Sequence, residues 1–169
     1  MRCAVLVLLL TGLLAGCART HDHLPLAWWI EDCAHGIPRR PAELETAHPP
    51  PPMLLAYLGG DLVDGIQKPP LPLRQRAERR PRLQEAFRSG RILLQEGEVG
   101  PSPRLVGKDL REAAALADQE NLDRRQVDVL VITLGQMDEA EAMRYRDAIH
   151  AVRTELDRAD GGKPWTPAR

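Results

Sequence analysis

The chain has 169 residues, with 23 basic against 24 acidic side chains and a formal net charge of −1. That balance gives no electrostatic footprint for nucleic acid. The length suits one small domain with tails rather than two domains.

After Met1, Arg2 and Cys3 comes the apolar stretch Ala4 to Leu10, then Thr11-Gly12 and Leu13-Leu14, too short to span a bilayer, which takes about 20 residues. A basic start, a short apolar stretch and small residues are the layout of a secretory signal. Leu14-Ala15-Gly16-Cys17 is similar to the lipobox of bacterial lipoprotein precursors. In that reading Leu14, Ala15 and Gly16 are recognised by the signal peptidase. Cys17, alkylated with diacylglycerol and acylated, is the first residue of the mature chain, and that lipid is the only prosthetic group expected. Removing 16 of 169 residues leaves 153, with 22 basic side chains because Arg2 is lost, against 24 acidic. No later apolar run is long enough to cross a membrane, so the expected anchor is the lipid. Ala18 rather than an acidic residue after Cys17 points to the outer membrane, facing the periplasm. Cys3 is discarded and Cys17 lipidated, which leaves Cys33 with no partner in the chain. It is either buried and inert or a thiol for another molecule.

Residues 17–73 read as a tether with short ordered patches. Pro25, Pro38, Pro41 and the run Pro49 to Pro52 oppose long helices and central strands. One ordered patch is Leu26-Ala27-Trp28-Trp29-Ile30, whose indoles suit either a membrane interface or packing on the domain. Met53 to Leu58 is a second patch, and Asp61 is a candidate cap for a turn through Ile66. Residues 74–162 form the expected domain, mainly α, with about three to four helices. Pro81 fits a first helical position, Leu83, Ala86 and Phe87 share a face, and Gly90 suits a left-handed stop. Residues 91–108 read as a mixed loop with a brief extended piece at Leu105-Val106. The longest helix is expected from Asp109, with Glu112 completing a capping box, to Leu134. Its apolar stripe is interrupted by Asn121 and Arg124, so the helix either bends there or serves two neighbours. The last helix starts at Asp138 with Glu141 three residues on. Its stripe is Tyr145, Ile149, Val152 and Leu156. Residues 163–169 are expected to be irregular.

Candidate chemistry is thin. His21, Asp22, His23, Asp32, Cys33 and His35 are metal-ligand types without the spacing of a closed zinc site, so no metal is expected. Cys33 and His35 stand two apart with no third group to orient them. No phosphate loop or hydrolase motif is present, and no catalytic residue is assigned. Glu112, Glu120, Glu139, Glu141 and Glu155 read as solvated helix faces. Arg74, Arg76, Arg79, Arg80 and Arg82 form a basic run, either solvated or touching anionic headgroups. The segment above background is Glu120-Asn121-Leu122-Asp123-Arg124-Arg125. Polar groups on a core-facing stripe must be hydrogen-bonded. Glu120, Asn121, Asp123 and Arg124 are therefore expected to form a polar network holding a loop carbonyl or a carboxylate, with Glu98 or Asp123 as acceptors.

That segment, with Arg79-Arg80-Pro81, Leu83, Phe87, Gly90 and a glycine-containing loop before it, resembles the YdbL-type proteins, periplasmic proteins or lipoproteins carrying a domain of unknown function. Asn121 and Arg124 match that family's signature, and Trp165 matches its C-terminal Trp. The glycine pattern after the first helix departs from the family, and no aromatic follows the arginine pair. The resemblance implies no enzyme. It implies a context beside AsmA-like proteins of lipid transport between the two membranes, with a role in assembly. The expectation is a non-enzymatic envelope lipoprotein, attached to the membrane by lipid and contacting an envelope protein partner. The alternative is a lipid- or glycan-binding module using Trp28, Trp29 and the Arg74–Arg82 run.

Overall fold

The computed structural model describes residues 23–37, 39–40, 44, 50–63, 66–95 and 97–165. Leu14 to Cys17, His21 and Asp22 lie outside them. The fold is mainly α, with helices α1 (Leu24–Ala34), α2 (Pro52–Gly59), α3 (Leu71–Arg88), α4 (Gly107–Leu134) and α5 (Glu139–Ala159). Two antiparallel hairpins interrupt them: β1 (Asp61–Val63) with β2 (Ile66–Lys68), and β3 (Ile92–Gln95) with β4 (Glu98–Pro101).

Local chemistry explains most boundaries. Prolines stand in the opening turns of α1, α2 and α3, where their missing N–H costs nothing. Gly60 (φ +70°) must be glycine, because a Cβ there would lie 1.8 Å from the Lys68 carbonyl oxygen. The α5 capping box forms as expected: Glu141 N donates to Asp138 Oδ1 at 2.8 Å, and Asp138 N donates to Glu141 Oε2 at 3.1 Å.

Several expectations are corrected. α1 is an eleven-residue helix that enters the core, with Trp29 and Ile30 buried, where only a short patch in a tether is expected. Helix α3 begins at Leu71 and passes through Pro81 instead of starting there. Helix α4 begins at Gly107, and Val106 precedes it without a side-chain cap, so Asp109 and Glu112 make no capping box. The expected turn after Asp61 and the expected loop after Arg91 are the two hairpins. The tail is also used. Leu94 N donates to Lys163 O and Trp165 N to Leu94 O, both at 2.9 Å, so the tail lies parallel along β3.

Two apolar cores result. The larger gathers α1, the inner faces of α2 and α5, Leu73, Val127 and Val131. The smaller gathers Leu83, Phe87, Ile92, Leu94, Val99, Ala113 and Ala117. Helices α3 and α4 contribute to both. The interrupted α4 stripe therefore serves two neighbours: Ala113 and Ala117 face one core, Val127 and Val131 the other. What separates the cores is charge.

Candidate functional site

Between the cores lies a layer in which five arginines, Arg76, Arg79, Arg80, Arg124 and Arg153, meet six carboxylates, Glu31, Glu120, Asp123, Asp128, Asp157 and Asp160. Helical spacing puts them there. On α3 the buried residues Leu73, Arg76, Arg80, Leu83 and Phe87 step by three and four, so the arginines occupy the inward stripe. On α4, Glu120, Asn121, Asp123 and Arg124 fill the turn between Ala117 and Val127.

Glu31 from α1 receives Arg76 Nη1 at 2.9 Å and Nη2 at 2.7 Å, a bidentate fork, and Arg153 Nε at 2.9 Å. Such paired, charge-assisted bonds are among the strongest in proteins. Glu120 accepts from Arg76 Nε and Arg124 Nε at 2.9 Å each, and from Arg79 Nη1 at 2.9 Å. Arg79 also reaches Asp123. Arg124 Nη2 bonds both oxygens of Asp157, at 3.1 and 2.9 Å, and its Nη1 donates to the Gly97 carbonyl at 3.3 Å. Arg80 bonds Asp157 at 3.0 Å and pairs with Asp160. Arg153 completes the layer on Asp128, at 2.7 and 2.8 Å, which Tyr145 Oη also reaches at 3.2 Å.

The electrostatics follow. Burial alone would raise the Glu31 carboxyl, but Arg76 and Arg153 hold it well below the usual carboxylate range. Glu120 is likewise raised by burial and lowered further by Arg76 and Arg124, to about 2. Burial opposes the charge on Arg76, yet Glu31 and Glu120 hold its pKa well above the ordinary value. A general acid or base serves best with a pKa near the working pH. These two glutamates are held far from it. Chemically the layer is a clamp that keeps four helices in one register.

The four network residues expected from sequence are thus brought together, in roles only partly foreseen. Asn121 does hold a loop backbone: its Nδ2 donates to Val99 O at 2.8 Å, and Val99 N donates to its Oδ1 at 3.0 Å. Arg124 holds a loop carbonyl, but its carboxylates are Glu120 and Asp157. Of the two expected acceptors, Glu98 takes Arg125, and Asp123 takes Arg79 and Gln119. Glu120 is buried, not a solvated surface residue. Arg76 and Arg80 are buried and paired, which removes the middle of the basic run from the surface. Trp29 is buried and its Nε1 donates to the Arg40 carbonyl at 3.3 Å, while Trp28 packs against the larger core. Cys33 is buried, and burial pushes its thiol up to about 11, which suppresses the nucleophilic thiolate. Among the described residues no group of three or more His, Cys, Asp and Glu is placed to hold a metal ion.

Glu31, Arg153 and Asp157 carry the layer as much as the α4 residues do. Their signal in the sequence is weak: single charged residues beside apolar helix positions, each needing a partner far along the chain.

No protein-family model matches the chain, and no curated protein and no solved structure matches it either.

Proposed function

We propose that this protein is a non-enzymatic lipoprotein of the cell envelope, anchored by lipid on Cys17 and acting through contact with another envelope protein. The observation that carries this reading is the inward turn of charge. The arginines and carboxylates of α3, α4 and α5 bind one another between two cores, and Leu122, in the middle of the same α4 segment, stands 43% exposed. A helix already clamped in place that leaves an apolar side chain exposed lets a partner bury it without ordering the helix first. The likeness of Leu14-Ala15-Gly16-Cys17 to a lipobox supplies the anchor. The likeness to YdbL-type proteins supplies a context, the assembly of a complex that moves lipid between membranes.

A photo-crosslinking residue at Leu122 in the full chain, in cells, is expected to capture one envelope protein that the same residue at Glu155 does not. Capture of nothing from the envelope, or the same captures at both sites, would refute the docking reading. The alternative, a lipid- or glycan-binding module, is weaker here because Trp29, Arg76 and Arg80 are buried within the protein.

A further inference from the structure

Helices α1 and α5 run side by side in the same direction. The His23 ring stands edge-on to Tyr145, centroids 6.4 Å apart, and eight residues along each helix Glu31 meets Arg153. The start of α1 therefore lies near the end of the bundle where α4 gives way to α5. Cys17 precedes His23 by six residues, and six residues reach at most roughly 20 Å. A lipid on Cys17 thus holds this end of the bundle close to a bilayer surface.

The same end is where charge leaves α4. From Gln126 to Met137 the sole charged residue is Asp128, and it is turned inward to Arg153 and Tyr145. Val129 is 62% exposed and Met143, in the second turn of α5, 58% exposed. Thr133 and Gln136, four and seven residues on from Val129, are also exposed. The far end of α4 differs: Lys108, Asp109, Arg111 and Glu112 crowd within five residues, all exposed.

We propose that the α4–α5 end of the bundle is a membrane-facing surface, with Val129, Thr133, Gln136 and Met143 resting at headgroup level. Lys108 then stands away from the bilayer, at the other end of a helix about 42 Å long. The occupant is a lipid surface, and a zwitterionic one, because this end of α5 carries both signs, with Asp138, Glu139, Glu141 and Asp147 outnumbering Arg144 and Arg146, and the acidic excess opposes an anionic leaflet. The inference rests on the lipid anchor proposed above and adds the orientation of the domain to it.

The test uses the full acylated chain in vesicles of phosphatidylethanolamine and phosphatidylcholine. An environment-sensitive dye is placed at Gln136→Cys or at Lys108→Cys, with the unsubstituted chain as the labelling control for buried Cys33. Lipids spin-labelled at the headgroup are expected to quench the dye at 136 several-fold more than the dye at 108. Adding Val129→Glu, an exposed change that leaves the cores intact, is expected to reduce quenching at 136. Equal quenching at both sites, stronger quenching at 108, or no effect of Val129→Glu overturns the orientation. The mass of the mature chain reads the anchor separately. An unacylated chain overturns the anchor and the orientation together, whereas an acylated chain with equal quenching overturns the orientation alone.

Discussion

Glu31 is a single acidic side chain whose three arginine bonds tie α1 to α3 and α5. Removing one partner of a buried ion pair strands the other charges, at a cost of about 3–5 kcal/mol. Glu31→Gln is therefore expected to lower the urea midpoint sharply. Replacing Glu31, Arg76, Arg153 and Asp128 together by leucine and methionine is expected to cost less than the single change, since it removes two charges of each sign and leaves Glu120 on Arg79 and Arg124. Asn121 is a second such residue. Asn121→Ala leaves the buried Val99 N–H and carbonyl unpaired, about 1–3 kcal/mol for each group, readable as faster amide exchange at Val99 and a lower thermal midpoint. At this scale the sequence was half legible. A polar pair inside the α4 stripe announces a network, but spacing along one helix cannot name acceptors on another. Asp157 lies 33 residues from Arg124, and Glu31 lies 122 from Arg153.

At the scale of the element, periodicity served the long helices well. The α5 stripe and its cap form as read. The stripe of α3 was legible over Leu83, Ala86 and Phe87 but not upstream, because arginines fill its inward positions and hide the pattern. Pro81 misleads for a related reason. A proline inside a helix removes one backbone bond and crowds the preceding turn, at about 3 kcal/mol, so the simplest reading starts the helix there. Arg76, Arg79 and Arg80 on one side and Leu83 and Phe87 on the other hold α3 continuous through it. Pro81→Ala at this exposed position is accordingly expected to stabilise the protein, with a higher urea midpoint and an unchanged slope. The hairpins are not legible in the sequence, because their strands are three or four residues long, too short for alternation to show. Helix α1 is hidden because the prolines around it dominate the composition of residues 17–73.

For the whole molecule, the charged layer makes stability depend on pH with a defined sign. His35 closes α1, and its Nε2 is buried without a hydrogen-bond partner. Burial, and then the charge of Arg80, lower its pKa to about 4. Between that value and the ordinary 6.5, the unfolded chain binds a proton that the folded chain does not. Stability therefore falls as pH drops through this window. Glu31 and Glu120 act in the same direction further down. Their contribution is complete above the ordinary carboxylate value of 4.5 and is lost as pH falls, for Glu120 through about 2. Urea midpoints measured from pH 8 to pH 3 are expected to stay level above about 7 and to decline below 6.5. His35→Gln should flatten the upper limb and leave the lower one. A wild-type midpoint that stays level down to pH 4 would contradict this account. The fold class was legible from the sequence. The division of one small domain into two cores was not, because it depends on which distant charges meet.

The short tail along β3 has a consequence for how this chain lives among others. A two-stranded hairpin has two open edges, and an unfilled edge is a template on which a strand from a neighbouring molecule can grow. Here one side is filled by the Asn121 amide on Val99, and Pro101 has no N–H to offer. The other is filled at Leu94 by Lys163 and Trp165. Lys163 to Trp165 therefore act as a guard against self-association, so a chain cut after Gly162 would fold its helices yet lose solubility.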